Sequence, residues 1–367
     1  MYWNLQLQVP LVACPRRREL ESRLKGLGGE VTTTLRRSPW VTVWIPDDVV
    51  VEAVLSLPGV LRVEMDTPCE NCVLAPVETA WVLEAIELHQ AHQITRGSGI
   101  RVAVLDTGVS SHPALSRANL AYVESLIDYE GPQDLQGHGT AMTGLVVQVA
   151  PEVELACLKV LDNRGTGRWS SVAKGLERAG DLKSQVAVMA LGGVDSSMMV
   201  EDALRDFAAH GGVPVAAAGN KGRSLDFPGS SNYVVAAAAV DSEGRPATFS
   251  AVGAGPERPD VAAPGVGVTV AALGGGYKQT GGTSVSTAIV GGCIALFFAS
   301  HPGVRRLASV RTDIKWGVPL PAVLVEMRKA LALTSIPLPV SPLRVGYGLV
   351  SANNLVRNLT VSTEAIE

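Results

Sequence analysis

The sequence predicts an α/β fold, a mostly parallel sheet with helices on both faces, preceded by a small α+β ferredoxin-like module. Three observations carry this expectation. After residue 99, short and nearly continuous apolar runs alternate with helical patterns, as strands buried on both faces require. The first 66 residues follow a different order, β-α-β-β-α-β. The composition, 47% hydrophobic and 18% charged over 367 residues, falls below the roughly 25% charge of average globular chains and implies a large core.

In the first module, Leu5, Leu7, Val9 and Leu11 alternate as in a half-buried strand. Pro15 opens a helix whose Leu20, Leu24 and Leu27 share one face, and Gly26 and Gly28 stop it. Val31 to Thr34 and Trp40 to Ile45 are rich in β-branched and aromatic residues and read as strands. A short helix from Asp48 to Leu57 and a strand from Val60 to Met65 complete the order. Residues 67–80, with Pro68 and Pro76 and little periodicity, read as a linker. Residues 81–367 then form the larger domain. Its strand candidates are Arg101 to Leu105, Leu155 to Val160, Val186 to Leu191, Val213 to Ala218 and Val234 to Val240. Between them, Ser170 is expected to cap a helix reaching Ala179, and Val200 to Ala209 carries an apolar stripe.

The composition also excludes partners. The net charge is −4 and no basic stripe stands out, which argues against nucleic acid. The longest apolar run, residues 288–299, is short for a membrane span of about 20 residues. The opening MYWNLQLQVP has no basic start followed by an apolar block, so no secretory signal is legible and a cytoplasmic location, or export by another route, is expected. Five cysteines, Cys14, Cys69, Cys72, Cys157 and Cys293, are scattered and odd in number, unlike a disulfide framework. The lone C-x-x-C at Cys69 and Cys72 lacks the second pair of a metal site, and loop thiols are its ordinary reading.

Four segments carry chemistry. In residues 102–108, VAVLDTG, an apolar strand delivers Asp106 at its carboxyl end, where catalytic groups of open α/β sheets gather. In residues 137–144, GHGTAMTG, glycines flank His138, the ready proton acceptor near neutral pH. In residues 215–222, VAAAGNKG, a strand ends at Asn220, whose amide can donate to a developing oxyanion. In residues 281–299, GGTSVSTAIVGGCIALFFA, glycines precede Ser284 and an apolar helical run follows; donated N–H groups and the positive helix end favour negative charge there. Each motif alone has a plain structural reading: a turn Asp, a helix-start His, a turn Asn, a capping Ser.

Together, and in the order Asp, His, Asn, Ser, the four resemble the subtilisin-like serine proteases over about residues 80–356. Weaker matches agree: LKVLDNRGTGRWS at 158–170, ALGG at 190–193, ATFSAVG at 247–253, VAAPGV at 261–266 and GYGLVSA at 346–352. The resemblance implies a serine endopeptidase with Asp106, His138 and Ser284 as its triad and Asn220 as an oxyanion donor. It implies no cofactor. It implies peptide or protein substrates bound as an added strand, bordered by Gly165, Thr166 and Gly167 on one side and Ala190, Leu191 and Gly192 on the other. Trp169 takes the position that walls the pocket for the fourth residue before the cut. Lys221 sits near the first pocket, where a cation favours Glu or Asp over Lys. By the same resemblance, residues 1–66 are similar to the family's propeptide, a folding chaperone and intramolecular inhibitor. Its tail, VEMDTPCENC at 63–72, would lead into the active site, with self-cleavage between Glu70 and Glu78.

The chain departs from the family pattern in places. Ala141 stands where His is usual, Val285 where Met is usual, and Ala190 where a Ser is frequent. Residues 144–161 leave no room for the loop that binds calcium tightly in many relatives, and Ala114 replaces a completing carboxylate; no such metal site is expected. Rival readings are a peptide-binding pseudoprotease, a transpeptidase or macrocyclase sharing the acyl-enzyme, and a dinucleotide-binding protein. The last needs a G-x-G-x-x-G turn that DTGVSSHP, residues 106–113, does not supply.

Overall fold

Alternation of apolar residues builds the first module. The computed structural model describes residues 2–7, 17–35, 38–46, 51–57, 59–66, 68–71, 80–304, 310–312, 315, 317 and 319–358. Strands β1 (Tyr2–Leu7), β2 (Glu30–Thr34), β3 (Trp40–Trp44) and β4 (Val60–Met65) pair antiparallel in the order β2-β3-β1-β4. Helices α1 (Arg17–Gly26) and α2 (Val51–Leu55) belong to the same module. Leu5, Leu7, Leu20, Leu24, Val41, Val43 and Val54 form its private core. Pro15 and the continuation of the first strand past Leu7 lie outside the described residues.

Residues 67–80 were expected to be a linker, yet β5 (Pro68–Asn71) lies within them. Its extended form comes from its neighbours and not from its own pattern. It is the central strand of a three-stranded antiparallel sheet, between β11 (Leu191–Gly192) and β9 (Thr166–Arg168) of the larger domain.

After the short helices α3 (Ala80–Ala85) and α4 (Leu88–Ala91), the larger domain centres on seven parallel strands. These are β6 (Arg101–Asp106), β7 (Asn119–Ser125), β8 (Glu154–Lys159), β10 (Val186–Met189), β12 (Val213–Ala217), β13 (Val235–Val240) and β14 (Val261–Pro264), in the order β14-β13-β12-β10-β6-β8-β7. Successive side chains go to opposite faces. Val102, Val104, Val186 and Val188 pack with α5 (His138–Val149) and α8 (Thr283–Ser300). Ala103, Leu105, Ala187 and Met189 pack with α6 (Trp169–Asp181) and α7 (Met198–Ala209). The hairpins β15 (Val268–Ala271) with β16 (Tyr277–Thr280), and β17 (Val310–Thr312) with β18 (Pro319–Pro321), follow, with helices α9 (Ala322–Thr334), α10 (Pro342–Val345) and α11 (Ala352–Arg357). Helix α8 is longer than the apolar run read from the sequence. Its 18 residues and mean hydropathy of 1.7 meet the length and composition of a membrane span, but 89% of it is buried inside the protein, as the central helix of a two-faced sheet requires. The connection from α5 to β8 is only residues 150–153.

One expectation is corrected at α6. Ser170 does not cap the helix; it lies inside the first turn, after the N-cap position Arg168. The cap comes from the first module: Asp66 accepts from the Ser170 backbone N–H at 3.0 Å and from its Oγ at 2.5 Å. Glu64 does the same at α7, accepting from the N–H of Met198 at 2.9 Å and of Met199 at 3.3 Å. Two helix ends, with their unsatisfied amides and positive dipole, thus hold two carboxylates of the other domain. Replacing Asp66 by Ala should cost about 1–2 kcal/mol. The whole chain should then melt lower by about 2–4 °C per kcal/mol lost, read by calorimetry; an unchanged melting temperature contradicts the cap.

Candidate active site

One strand ends and two helices begin at the carboxyl edge of the parallel sheet, and they bring the expected residues together. Asp106 is the last residue of β6, His138 the first of α5 and Ser284 the second of α8. All three are buried. The Asp106 carboxylate lies 2.8 and 2.9 Å from His138 Nδ1. Both carboxylate oxygens are acceptors, so Nδ1 carries a proton, and in the neutral ring Nε2 is then the nitrogen with the lone pair. Nε2 is buried with no hydrogen-bond partner among the described residues. Ser284 Oγ donates to the carbonyl of Ala190 at 3.1 Å. The Ser284–His138 hydrogen bond is therefore not formed, although both residues line one small cavity. Such bonds are often loose until substrate arrives.

The close approach of α5 to β6 depends on glycine. A Cβ on Gly139 would meet the carbonyl oxygen of Gly108 at 2.1 Å, so the residue after His138 cannot carry a side chain. Asp134, missed in the sequence, ties the two segments together. Its fully buried carboxylate accepts from Thr107 Oγ1, Thr140 Oγ1 and the backbone N–H groups of Gln136, Gly137 and Thr140, at 2.6–3.0 Å. Thr107 Oγ1 in turn accepts from the Gly139 N–H at 2.8 Å. Buried Lys159 holds the same turn, donating to the Thr107 carbonyl at 2.7 Å and pairing with Glu130 at 3.1 Å. The signal for Thr107 stood beside Asp106, and Asp134 lies four positions before His138; nothing in one sequence separates either from an ordinary turn residue.

Asn220 is oriented by the residue before Ser284. Its Oδ1 accepts from Thr283 N–H and Thr283 Oγ1, both at 2.9 Å. A backbone N–H can only donate, so Oδ1 must face it and Nδ2 points away. Nδ2 is buried with no partner among the described residues. A buried donor left unsatisfied is costly and marks where an acceptor belongs.

The residues expected to border a substrate strand meet β5. Asn71 pairs with Leu191 and Glu70 with Gly192 on one side; Pro68, Cys69 and Glu70 pair with Arg168, Gly167 and Thr166 on the other. Gly165 does not join this ladder; it sits in the preceding turn at φ +77°, its N–H on the Asp162 carbonyl. Trp169 is fully buried, edge-on to Phe227 with centroids 5.0 Å apart. Lys221 lies 3.7 Å from Asp226, which is the more buried partner. Burial pushes the Asp226 carboxyl above its ordinary range, and the neighbouring cations of Lys221 and Arg223 pull against it. The cation expected to draw acidic side chains therefore already has a counter-charge, which weakens the physical basis for that preference. Among the other thiols, Cys157 and Cys293 are buried and pushed up to about 12 by burial; Cys72 lies outside the described residues.

The Subtilase family model, Peptidase_S8, matches residues 97–348. The chain belongs to the subtilase family. This subtilase is 37% identical to Subtilisin Savinase of Lederbergia lenta over 247 residues, 64% of this chain and 89% of that protein. It is 36% identical to the alkaline protease of Shouchella clausii over 247 residues, 64% of this chain and 63% of that longer protein. Alkaline elastase YaB of Bacillus sp. is 35% identical over 283 residues, 74% of this chain and 71% of its own. As a subtilase the chain is a serine-type endopeptidase with the α/β fold described above. The family match begins after the four-stranded module and β5, so neither is covered by it.

Proposed function

We propose that this subtilase hydrolyses peptide bonds through an acyl-enzyme on Ser284, and that it is made as a self-processing zymogen. The observation that carries the first part is the Asp106–His138 pair at one sheet edge with Ser284 on the same cavity. Ser284 Oγ attacks the scissile carbonyl carbon while its proton passes to His138 Nε2. Asp106 holds the tautomer and stabilises the imidazolium. The oxyanion accepts from Asn220 Nδ2 and the Ser284 backbone N–H. The intermediate collapses, His138 protonates the leaving amine, and water repeats the sequence to free the acid.

The second part rests on β5. A strand entering between β9 and β11 occupies the groove a substrate would fill. It runs towards Ser284 with its carboxyl end, since Asn71 faces Leu191, the neighbour of Ala190. The first module, anchored by Glu64 and Asp66, then acts as an intramolecular inhibitor, and self-cleavage falls shortly after Asn71, before Glu78.

A serine-directed fluorophosphonate tests the assignment. After incubation and removal of the first module it should label Ser284, found by peptide mapping; labelling elsewhere, or none, overturns the nucleophile. Asn220→Ala should lower kcat by roughly 10²–10³, with KM little changed, because the lost donor acts on charge that exists only in the transition state. A wild-type kcat in that variant refutes the donor.

A further inference from the structure

The sheet of the first module has two faces, and only one is turned to its own helices. On β1 and β3, Leu5, Leu7, Val41 and Val43 belong to the private core with Leu20, Leu24 and Val54 of the helices. The alternate positions fall on the opposite face. Across the two strands they pair as Tyr2 with Trp44, Asn4 with Thr42 and Gln6 with Trp40. Alone, the module would show that face to water. Here Asn4, Trp40 and Thr42 are buried. Tyr2 lies under the Arg168 guanidinium, 4.0 Å from the ring centre. Trp40, together with Leu35 just after β2, belongs to the apolar cluster of α6 and α7 that holds Val172, Leu176, Val200 and Leu204. Both are fully buried, at 0% exposure.

The indole also has a polar tie. Its Nε1 donates to Asp202 Oδ2 of α7 at 2.7 Å, and Arg205 donates to Asp202 Oδ1 at 2.5 Å. On α6, Glu177 accepts from the Ser38 N–H at 3.3 Å. Helices α6 and α7 cover the sheet face opposite to α5 and α8, which carry His138 and Ser284. From this geometry we infer that the seam of α6 and α7 beside Asp202 is a receiving site for an indole, separate from the catalytic groove, and that Trp40 seated there is the anchor that sets how tightly the first module docks. The inference rests on the reading of that module as an intramolecular inhibitor.

The chemistry of the docking face singles out this residue. Asn4 and Glu64 exchange hydrogen bonds with water for hydrogen bonds within the protein, a small net gain each. The indole instead removes a large apolar area from water, and buried Trp side chains dominate the affinity of many interfaces. Its hydrogen bond ends on a carboxylate and is charge-assisted. A donor buried without that acceptor would cost free energy. The partner this site fits is therefore a strand end that presents a Trp with its N–H towards a carboxylate.

The test uses the full chain after self-cleavage, with both pieces present. The preparation is diluted serially, and hydrolysis of a small peptide is read per enzyme molecule. The midpoint is the concentration at which this activity reaches half its dilute limit. Trp40→Ala should raise the midpoint by about thirtyfold or more. Trp40→Phe keeps a buried ring and loses only the hydrogen bond, so its shift should be smaller. Asp202→Ala removes the same bond from the other side, on a helix of the larger domain, and reads the anchor even if Trp40→Ala fails to fold. Combining Trp40→Phe with Asp202→Ala should give less than the sum of the two shifts, because one interaction cannot be lost twice. A wild type silent at every dilution, with activity appearing in Trp40→Ala, supports the anchor equally. Midpoints unchanged in Trp40→Ala and Asp202→Ala, beside a wild type that does depend on dilution, sink the anchor alone. A cut wild type fully active at every concentration sinks the inhibitor reading on which the anchor stands.

Discussion

Ser284→Ala should stay at one intact mass, the whole unprocessed chain, while the wild type divides into two fragments after Asn71. Peptide hydrolysis should fall by about 10⁴-fold or more, since the remaining oxyanion donors and binding groove retain only part of the acceleration. The change deletes one buried oxygen and takes its donated hydrogen bond from the Ala190 carbonyl, a cost of about 1–3 kcal/mol that a large core tolerates, so the protein should still fold and circular dichroism should match the wild type. That separation makes the variant informative: it removes chemistry and keeps shape. A Ser284→Ala protein that still processes itself, or still cuts peptides in proportion to its concentration, removes Ser284 from the mechanism. Intact mass spectrometry of both proteins after the same incubation reads cleavage, its position and the role of the first module together.

Asp134→Ala should damage both stability and rate. Five donors converge on that carboxylate, and each one left buried and unsatisfied costs about 1–3 kcal/mol before water or rearrangement offsets part of it. A net loss of about 3–5 kcal/mol is expected, near the upper end for single substitutions. For a domain of this size that lowers the melting temperature by roughly 10 °C. The rate should fall further in the molecules that remain folded. Thr107 and Gly139 are joined through Asp134's partner hydroxyl, so the Asp106–His138 distance depends on it, and a displacement of about 1 Å costs around 10²-fold. Asp134→Asn, which keeps one acceptor oxygen, should fall between. Wild-type kcat and melting temperature in a folded Asp134→Ala protein contradict this account.

These two residues also show what one chain can reveal. Ser284 could be singled out as a candidate only beside the other three motifs, since a serine before an apolar helix reads alone as a cap. The same holds for Asp106 at the end of β6, His138 at the start of α5 and Asn220 in the turn that follows β12. Asp134 was not legible, because a carboxylate in a polar loop reads alike whether it faces water or five amides and hydroxyls. The parallel strands were legible from their apolar runs, since both faces are covered. Strand β5 was not, because PCEN has no pattern of its own and becomes extended only against β9 and β11. Ser170 was mistaken for a cap for a related reason. The capping group, Asp66, sits 104 residues earlier, and a local reading cannot see a partner supplied by another domain. The counter-charge of Lys221, Asp226, was not legible either, because only the fold sets the two side chains 3.7 Å apart.

Position β5 has a thermodynamic corollary. While the chain is continuous, the tail competes for the groove as a tethered ligand, at an effective concentration of about millimolar. A free peptide must outcompete that before any turnover. Once the tether is cut, the same contacts become a bimolecular equilibrium and dilution alone shifts it towards the open enzyme. Activity per molecule should then depend on how concentrated the preparation is, a dependence that the uncut chain cannot have.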